Sequence, residues 1–259
     1  MSELIIEDLG AVRLLRLNRP EKHNALNTAL TTALLDALRQ ADQDASVRAV
    51  VLTGNGKSFC AGADTTEFSA LTPEQPDAVL RRADLTTDLH LVFSRTATPV
   101  VAAVHGNALG GGAGLALACD LTVMADDVRF GYPELRHGIV AAVVMANLVR
   151  QVGRKHAFEL VAMAEPIDGA RALALGIANR VAPAAQVLDQ ALAMAQRLAG
   201  WEPAAMGLTK RAFHRTADLG LAEALGVGRD ANVIMRGFRQ GAVLSLIHIS
   251  EPTRQEAIS

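Results

Sequence analysis

The sequence predicts an α/β protein with a sheet-based core, and three observations carry that prediction. Short β-favouring runs and helical stretches alternate through the first two thirds in a strand, strand, helix rhythm. Two short, mostly apolar runs, residues 48–52 and 100–104, each stop close to a glycine turn. The last third is almost wholly helical in its periodicity. A chain of 259 residues is long enough for one large core with an appendage.

Residues 4–7 and 11–17, joined by a turn at Asp8-Leu-Gly10, have the pattern of a β-hairpin. After a loop at 19–24, Asn27 is placed to cap a helix in which Leu30, Leu34, Ala37, Leu38 and Ala41 recur at helical spacing. Residues 48–52 form a buried strand ended by Gly54-Asn-Gly56. Asp64 followed by Glu67 is a capping-box pattern, so a helix is expected to start there, just after the small residues Ala61-Gly62-Ala63. A loop with two prolines covers 71–77, and an amphipathic helix covers 78–95.

The stretch from Pro99 to Asp120 is the centre of the chain. Its apolar strand breaks at His105-Gly106, and Gly110-Gly-Gly112 then opens a helix of small residues. Consecutive glycines let backbone approach a ligand closely, and the first N–H groups of a helix lack internal partners at the positive end of its dipole. Such a turn suits an oxygen that becomes negative during a reaction. Strands at 121–125 and 129–131 lead to Glu134, an acid among apolar and aromatic neighbours, where a raised pKa suits proton transfer. Helices are expected at 140–152, 155–162 and 168–175, a strand at 178–181, and a long helix from Pro183 to about residue 198. Gly200-Trp-Glu-Pro203 is the expected boundary, dividing a core at 1–199 from a helical region at 200–243 with helices at 204–218 and 221–236. Residues 244–259 stand apart: Leu244-Ser-Leu-Ile-His-Ile-Ser-Glu-Pro-Thr-Arg254 reads as the conceptual translation of a sequencing-library adapter.

Composition narrows the functional classes. With 25 basic against 27 acidic residues, no basic tract, one Trp and one Tyr, there is no support for nucleic-acid binding. Gly54-Asn-Gly-Lys-Ser58 resembles the end of a phosphate loop, but Val51 stands where its leading glycine is required. Cys60 and Cys119 show no metal or redox spacing and are expected as buried free thiols. The acidic start of the chain does not read as a signal peptide, and no apolar run is long enough to span a bilayer, so a cytoplasmic protein is expected. His105 is expected to pack or hydrogen-bond, His137 is placed to orient Glu134, and Asp120 is expected as a structural acid. Lys210 and Arg211 are expected on a solvated helix face.

Several segments together carry a family resemblance: Asn18-Arg-Pro-Glu-Lys-His-Asn-Ala-Leu-Asn27, Phe59-Cys-Ala-Gly-Ala-Asp64, His105-Gly-Asn-Ala-Leu-Gly-Gly-Gly-Ala-Gly114, Phe130-Gly-Tyr-Pro-Glu134 and Gly176-Ile-Ala-Asn-Arg-Val181. In order and spacing they resemble the enoyl-CoA hydratase/isomerase (crotonase) superfamily. The resemblance implies a spiral of ββα turns, a C-terminal helical trimerisation region, and a homotrimer or dimer of trimers. It implies an acyl-CoA thioester held by the backbone N–H groups of Ala63 and Gly111, with Ala25, Ala61 and Asp64 near the CoA, and Glu134 as general acid/base. Coenzyme A enters only as part of the substrate, its phosphates being an alternative partner for Lys210 and Arg211; no metal or other cofactor is expected. The sequence departs from the two-glutamate hydratase pattern at one place, where Gly114 stands at the position of the first glutamate. The expected function is enoyl-CoA hydratase. The alternatives are a Δ3,Δ2-enoyl-CoA isomerase using Glu134 alone and a non-catalytic acyl-CoA-binding protein.

Overall fold

A computed structural model describes residues 2–239. The expected hairpin is present: β1 (Leu4–Leu9) pairs antiparallel with β2 (Val12–Leu17), Leu9 facing Val12 across the turn. Every other pairing in the main sheet is parallel. β2 runs beside β3 (Ala49–Gly54), β3 beside β4 (Val100–Val104), β4 beside β6 (Leu121–Ala125) and β6 beside β8 (Arg180–Ala182), giving the order β1-β2-β3-β4-β6-β8. β3 and β4 are buried at every residue, which explains their unbroken apolar runs. A parallel strand covered on both faces has no solvent side on which to alternate. Helix α6 (Val187–Ala199) supplies cover to β3, β4 and β6.

A second, two-stranded parallel sheet joins β5 (Asn107–Leu109) to β7 (Arg129–Gly131). The sequence reading missed β5, because three residues between two glycine turns show no alternation. Bridges from Cys60 to Ala108 and from Phe130 to Ile167 widen this small sheet.

The helices follow their signals with instructive shifts. α1 (Thr28–Gln43) is capped as expected, Asn27 Oδ1 accepting the Leu30 N–H at 2.7 Å. α2 (Pro76–Arg95) starts two residues earlier than read, with proline at its first position. α3 (Gly111–Ala118) is buried from Gly112 onward, as a helix apolar on all sides must be. The break expected between helices at 140–152 and 155–162 is present: α4 (Met145–Met163) is two helical pieces joined at Gly153, which takes the non-helical φ +75°, and its first piece starts at Met145 rather than at residue 140. Residues 139–144 form a loop beside a cavity rather than the first turns of that helix. α5 (Gly169–Ala174) is capped by Asp168. α6 begins at Val187, after a short 3-10 turn at Ala184–Gln186, and not at Pro183. α7 (Pro203–Thr216) and α8 (Leu221–Arg239) follow.

The chain divides into two compact units, one ending at Arg211 and the other beginning at Ala212. The division falls inside α7, whereas the sequence placed it at residues 200–203. Lys210 belongs to the first unit and is not on a solvated face. Its ammonium is buried, 2.7 Å from an Asp120 carboxylate oxygen and 2.8 Å from the Thr98 carbonyl oxygen. That pairing also makes Asp120 the structural acid expected, since it accepts the Val100 N–H at 2.7 Å as well. The adapter-like segment 244–259 lies outside the described residues.

Candidate functional site

Two small-residue segments are locked side by side. Cys60 donates to Asn107 and accepts from Leu109, each at 3.0 Å, stitching residues 60–62 to β5. On the other flank Leu26 donates to Gly62 at 2.7 Å and accepts from Asp64 at 3.1 Å. In that ladder the N–H of Ala63, between the two bonded residues, turns away from Leu26. Gly111 opens α3, so its N–H has no helical acceptor. Among the described residues neither N–H donates to any protein acceptor. The approach depends on missing side chains: a Cβ on Gly62 would lie 2.8 Å from the Leu109 oxygen, and one on Gly112 would lie 2.1 Å from the Cys60 oxygen.

Glu134 starts a short 3-10 turn, Glu134–His137, directly after β7 and Pro133. Its carboxyl reaches back to the glycine turn, where a Cβ on Gly110 would sit 2.7 Å from Glu134 Oε1. Glu134 Oε2 is buried with no hydrogen-bond partner among the described residues. Burial raises the Glu134 pKa above its ordinary value, opposed by a backbone hydrogen bond and by the charge of His137. Tyr132, edge-on to Phe130 with ring centroids 6.0 Å apart, is buried nearby, and its hydroxyl is also unpartnered.

A cavity of about 280 Å³ brings Ala61, Ala63, Gly111 and Glu134 together, four of the residues named from the sequence. Ala25, Asp64 and Gly114 are not on its wall. Ala25 is buried, its carbonyl accepting from Arg19. Asp64 has a different task. Its carboxylate accepts from the Thr66 hydroxyl at 2.6 Å and pairs with Arg19 at 2.7 Å, and these hold its pKa at about 2. It caps a six-residue 3-10 helix, Thr65–Ala70, rather than an α-helix. Glu67 does not complete the capping box, since it accepts from Thr28 of α1 instead. His137 lines the cavity but is exposed and makes no hydrogen bond to Glu134. His105 hydrogen-bonds the Gly56 carbonyl at 3.1 Å, the packing role expected of it. Both cysteines are buried and free, and burial pushes the Cys60 thiol up to about 12, far from a thiolate at neutral pH.

Much of the remaining wall was missed. α2 contributes Arg82, Thr86, Leu89 and His90, and the loop before α4 contributes residues 139–144. A usable signal did exist for α2: Thr86, Leu89, His90 and Phe93 share one helical stripe, and Leu89 and Phe93 are core residues. Among the described residues there is no group of three or more His, Cys, Asp or Glu able to hold a metal, and no helix is long and apolar enough to cross a membrane.

Comparison with known proteins identifies the family. A family model described as enoyl-CoA hydratase/isomerase matches residues 7–235. A Thermus thermophilus protein provisionally named an enoyl-CoA hydratase is 40% identical over 88% of this chain and 90% of its own. The Escherichia coli 2,3-dehydroadipyl-CoA hydratase is 36% identical over 88% of both chains. Among solved structures, a Mycobacterium smegmatis enoyl-CoA hydratase superposes with a TM-score of 0.86 at 32% identity, covering 93% of this chain and 97% of that one.

Proposed function

Because this chain belongs to the enoyl-CoA hydratase/isomerase family, we propose that it adds water across the double bond of a 2-enoyl-CoA, with the reacting end of the thioester in the cavity beside Glu134. The thioester oxygen accepts from the N–H groups of Ala63 and Gly111. The Glu134 carboxylate takes a proton from water as the water oxygen bonds to C3. The displaced π pair is carried as an enolate on the thioester, held by the two N–H groups. Glu134 then returns its proton to C2, giving the 3-hydroxyacyl-CoA and restoring the carboxylate. The observation that carries this reading is the pair of unengaged backbone donors on one wall with a half-buried, pKa-raised carboxyl. A burial cost borne by Glu134 with no structural partner argues against mere acyl-CoA binding.

One observation favours the isomerase alternative: Gly114 offers no second carboxylate, and a single base can take a proton from C2 and return it at C4. Reaction in ¹⁸O-labelled water decides between them. Hydration puts label into 3-hydroxyacyl-CoA from a 2-enoyl substrate, while isomerisation moves the double bond of a 3-enoyl-CoA without label. Glu134→Gln is expected to lower turnover by about 10²–10⁴-fold with acyl-CoA binding retained. Turnover near wild type would remove Glu134 from its role.

The same reading includes a homotrimer or dimer of trimers, supported by exposed apolar side chains on α8, among them Leu221, Leu225 and Val233. It uses no metal or cofactor beyond the CoA of the substrate. It places the protein in the cytoplasm, a reading supported by its two buried free thiols.

A further inference from the structure

The hydration proposed above leaves the water held by one carboxylate, and the space behind Gly114 shows what stands where a second would be. A Cβ built on Gly114 would lie 2.7 Å from His90 Cε1 and 2.9 Å from Val144 Cβ. The imidazole of α2 therefore occupies the volume into which a longer side chain at 114 would grow. His90 lines the same cavity as Glu134, and its Nε2 is buried with no hydrogen-bond partner among the described residues. The two side chains lie against Gly110 and Gly114, positions one turn apart, with the Gly114 N–H donating to the Gly110 carbonyl at 2.9 Å. One turn is about 5.4 Å. A single water hydrogen-bonded on both sides spans a similar distance, two bonds of about 2.7–3.0 Å each. Two orphaned polar atoms on one cavity wall are what a bound water would satisfy.

We infer that His90 Nε2 is the second hydrogen-bonding contact for the attacking water, acting with Glu134 in place of the missing carboxylate. With the ring proton on Nδ1, Nε2 accepts one O–H of the water while Glu134 accepts the other. The Glu134-bound proton is the one transferred, and the His90-bound O–H stays on oxygen and becomes the 3-hydroxyl. His90 thus aims a lone pair at C3 and exchanges no proton itself. Burial lowers the His90 pKa to about 4, which keeps the ring neutral and able to accept at physiological pH.

This inference rests on the hydratase reading, and the test separates the two. Wild type, His90→Phe and His90→Gln are assayed for hydration of a 2-enoyl-CoA, and binding of a saturated acyl-CoA is measured in parallel. Phenylalanine keeps the bulk against Gly114 and loses the nitrogen; glutamine keeps a polar amide within reach. The expected result is a kcat lowered about 10–100-fold in His90→Phe with KM nearly unchanged, and at least about tenfold recovery in His90→Gln. Saturated acyl-CoA binding stays at the wild-type level in both. A His90→Phe enzyme within about twofold of wild type overturns the inference and leaves the hydratase reading intact. So does a His90→Gln enzyme as slow as His90→Phe, or loss of binding along with turnover, either of which makes His90 a space-filling residue. Absence of hydration by the wild type itself overturns the hydratase reading and this inference with it.

Discussion

At the scale of single residues, the site is a set of unmet hydrogen bonds. Glu134 Oε2 and His90 Nε2 are buried and unpartnered, and the Ala63 and Gly111 N–H groups have no protein acceptor. Such arrangements cost stability, and the cost has a pH signature. The Glu134 pKa is raised in the folded protein, so folding favours its protonated form. The relative stability this group allows is complete below its unfolded pKa and is lost as pH rises through the folded value. Replacing it with an uncharged isostere should therefore stabilise most at neutral pH. Glu134→Gln is expected to have a higher Tm than wild type at pH 7, with the gain shrinking as pH falls toward 4, read by thermal melts across that range. An unchanged or lower Tm at pH 7 would mean the carboxylate is satisfied in solution. Glu134 and the glycine turn were legible in the sequence because their chemistry is local: an acid among aromatics, and glycines opening an apolar helix. His90 was not legible, because its significance comes from a contact 24 positions along the chain, with Gly114.

At the scale of elements, the donors are set by how closely α3 approaches the strand-like segment at Cys60. Gly112→Ala would drive a methyl into the Cys60 carbonyl, backbone that cannot swing aside. Displacement of about 1 Å at a reacting centre can cost about 10²-fold in rate. A fall in kcat of that order is expected, with a stability loss of about 1–3 kcal/mol. Gly138→Ala is the matched control: its φ of +68° makes alanine strained by roughly 1–2 kcal/mol, but a methyl there meets nothing within 4 Å. The control should lose some stability while its kcat stays within a few-fold of wild type, as denaturant melts and steady-state assays on both variants would report. Most elements could be read from periodicity and caps, Asn27 and Asp168 being the clearest. β5 could not, and neither could the loop at 139–144. That loop is apolar enough to pass for helix, but its residues serve the cavity rather than a helical face.

The described residues have the crotonase fold, and the cavity draws on α2, α3, the Cys60 segment and the loops on either side of Glu134. Because these segments are far apart in sequence, the site exists only in the assembled first unit. Ligand binding should then register as global stability. A saturated acyl-CoA at about 100 times its Kd should add about 2.7 kcal/mol, a Tm rise of roughly 5–10 °C. Glu134→Gln should keep that rise and Gly112→Ala should lose most of it, as differential scanning fluorimetry of the three proteins would show. A rise retained in full by Gly112→Ala would detach binding from the geometry of the glycine turn.

The two cysteines give this assembly a built-in clock. Cys60 lies under the first turn of α3 and Cys119 follows its last residue, and both are sealed from solvent. A thiol reagent can reach either one only while the protein opens around it, so each alkylation rate counts excursions at one end of that helix. Opening at the Cys60 end would part the Cys60 segment from the first turn of α3, and with it the two N–H groups proposed to hold the thioester oxygen; opening at Cys119 would leave them together. The chain thereby carries two separately readable stopwatches, one for loss of the proposed catalytic geometry and one for fraying beyond it.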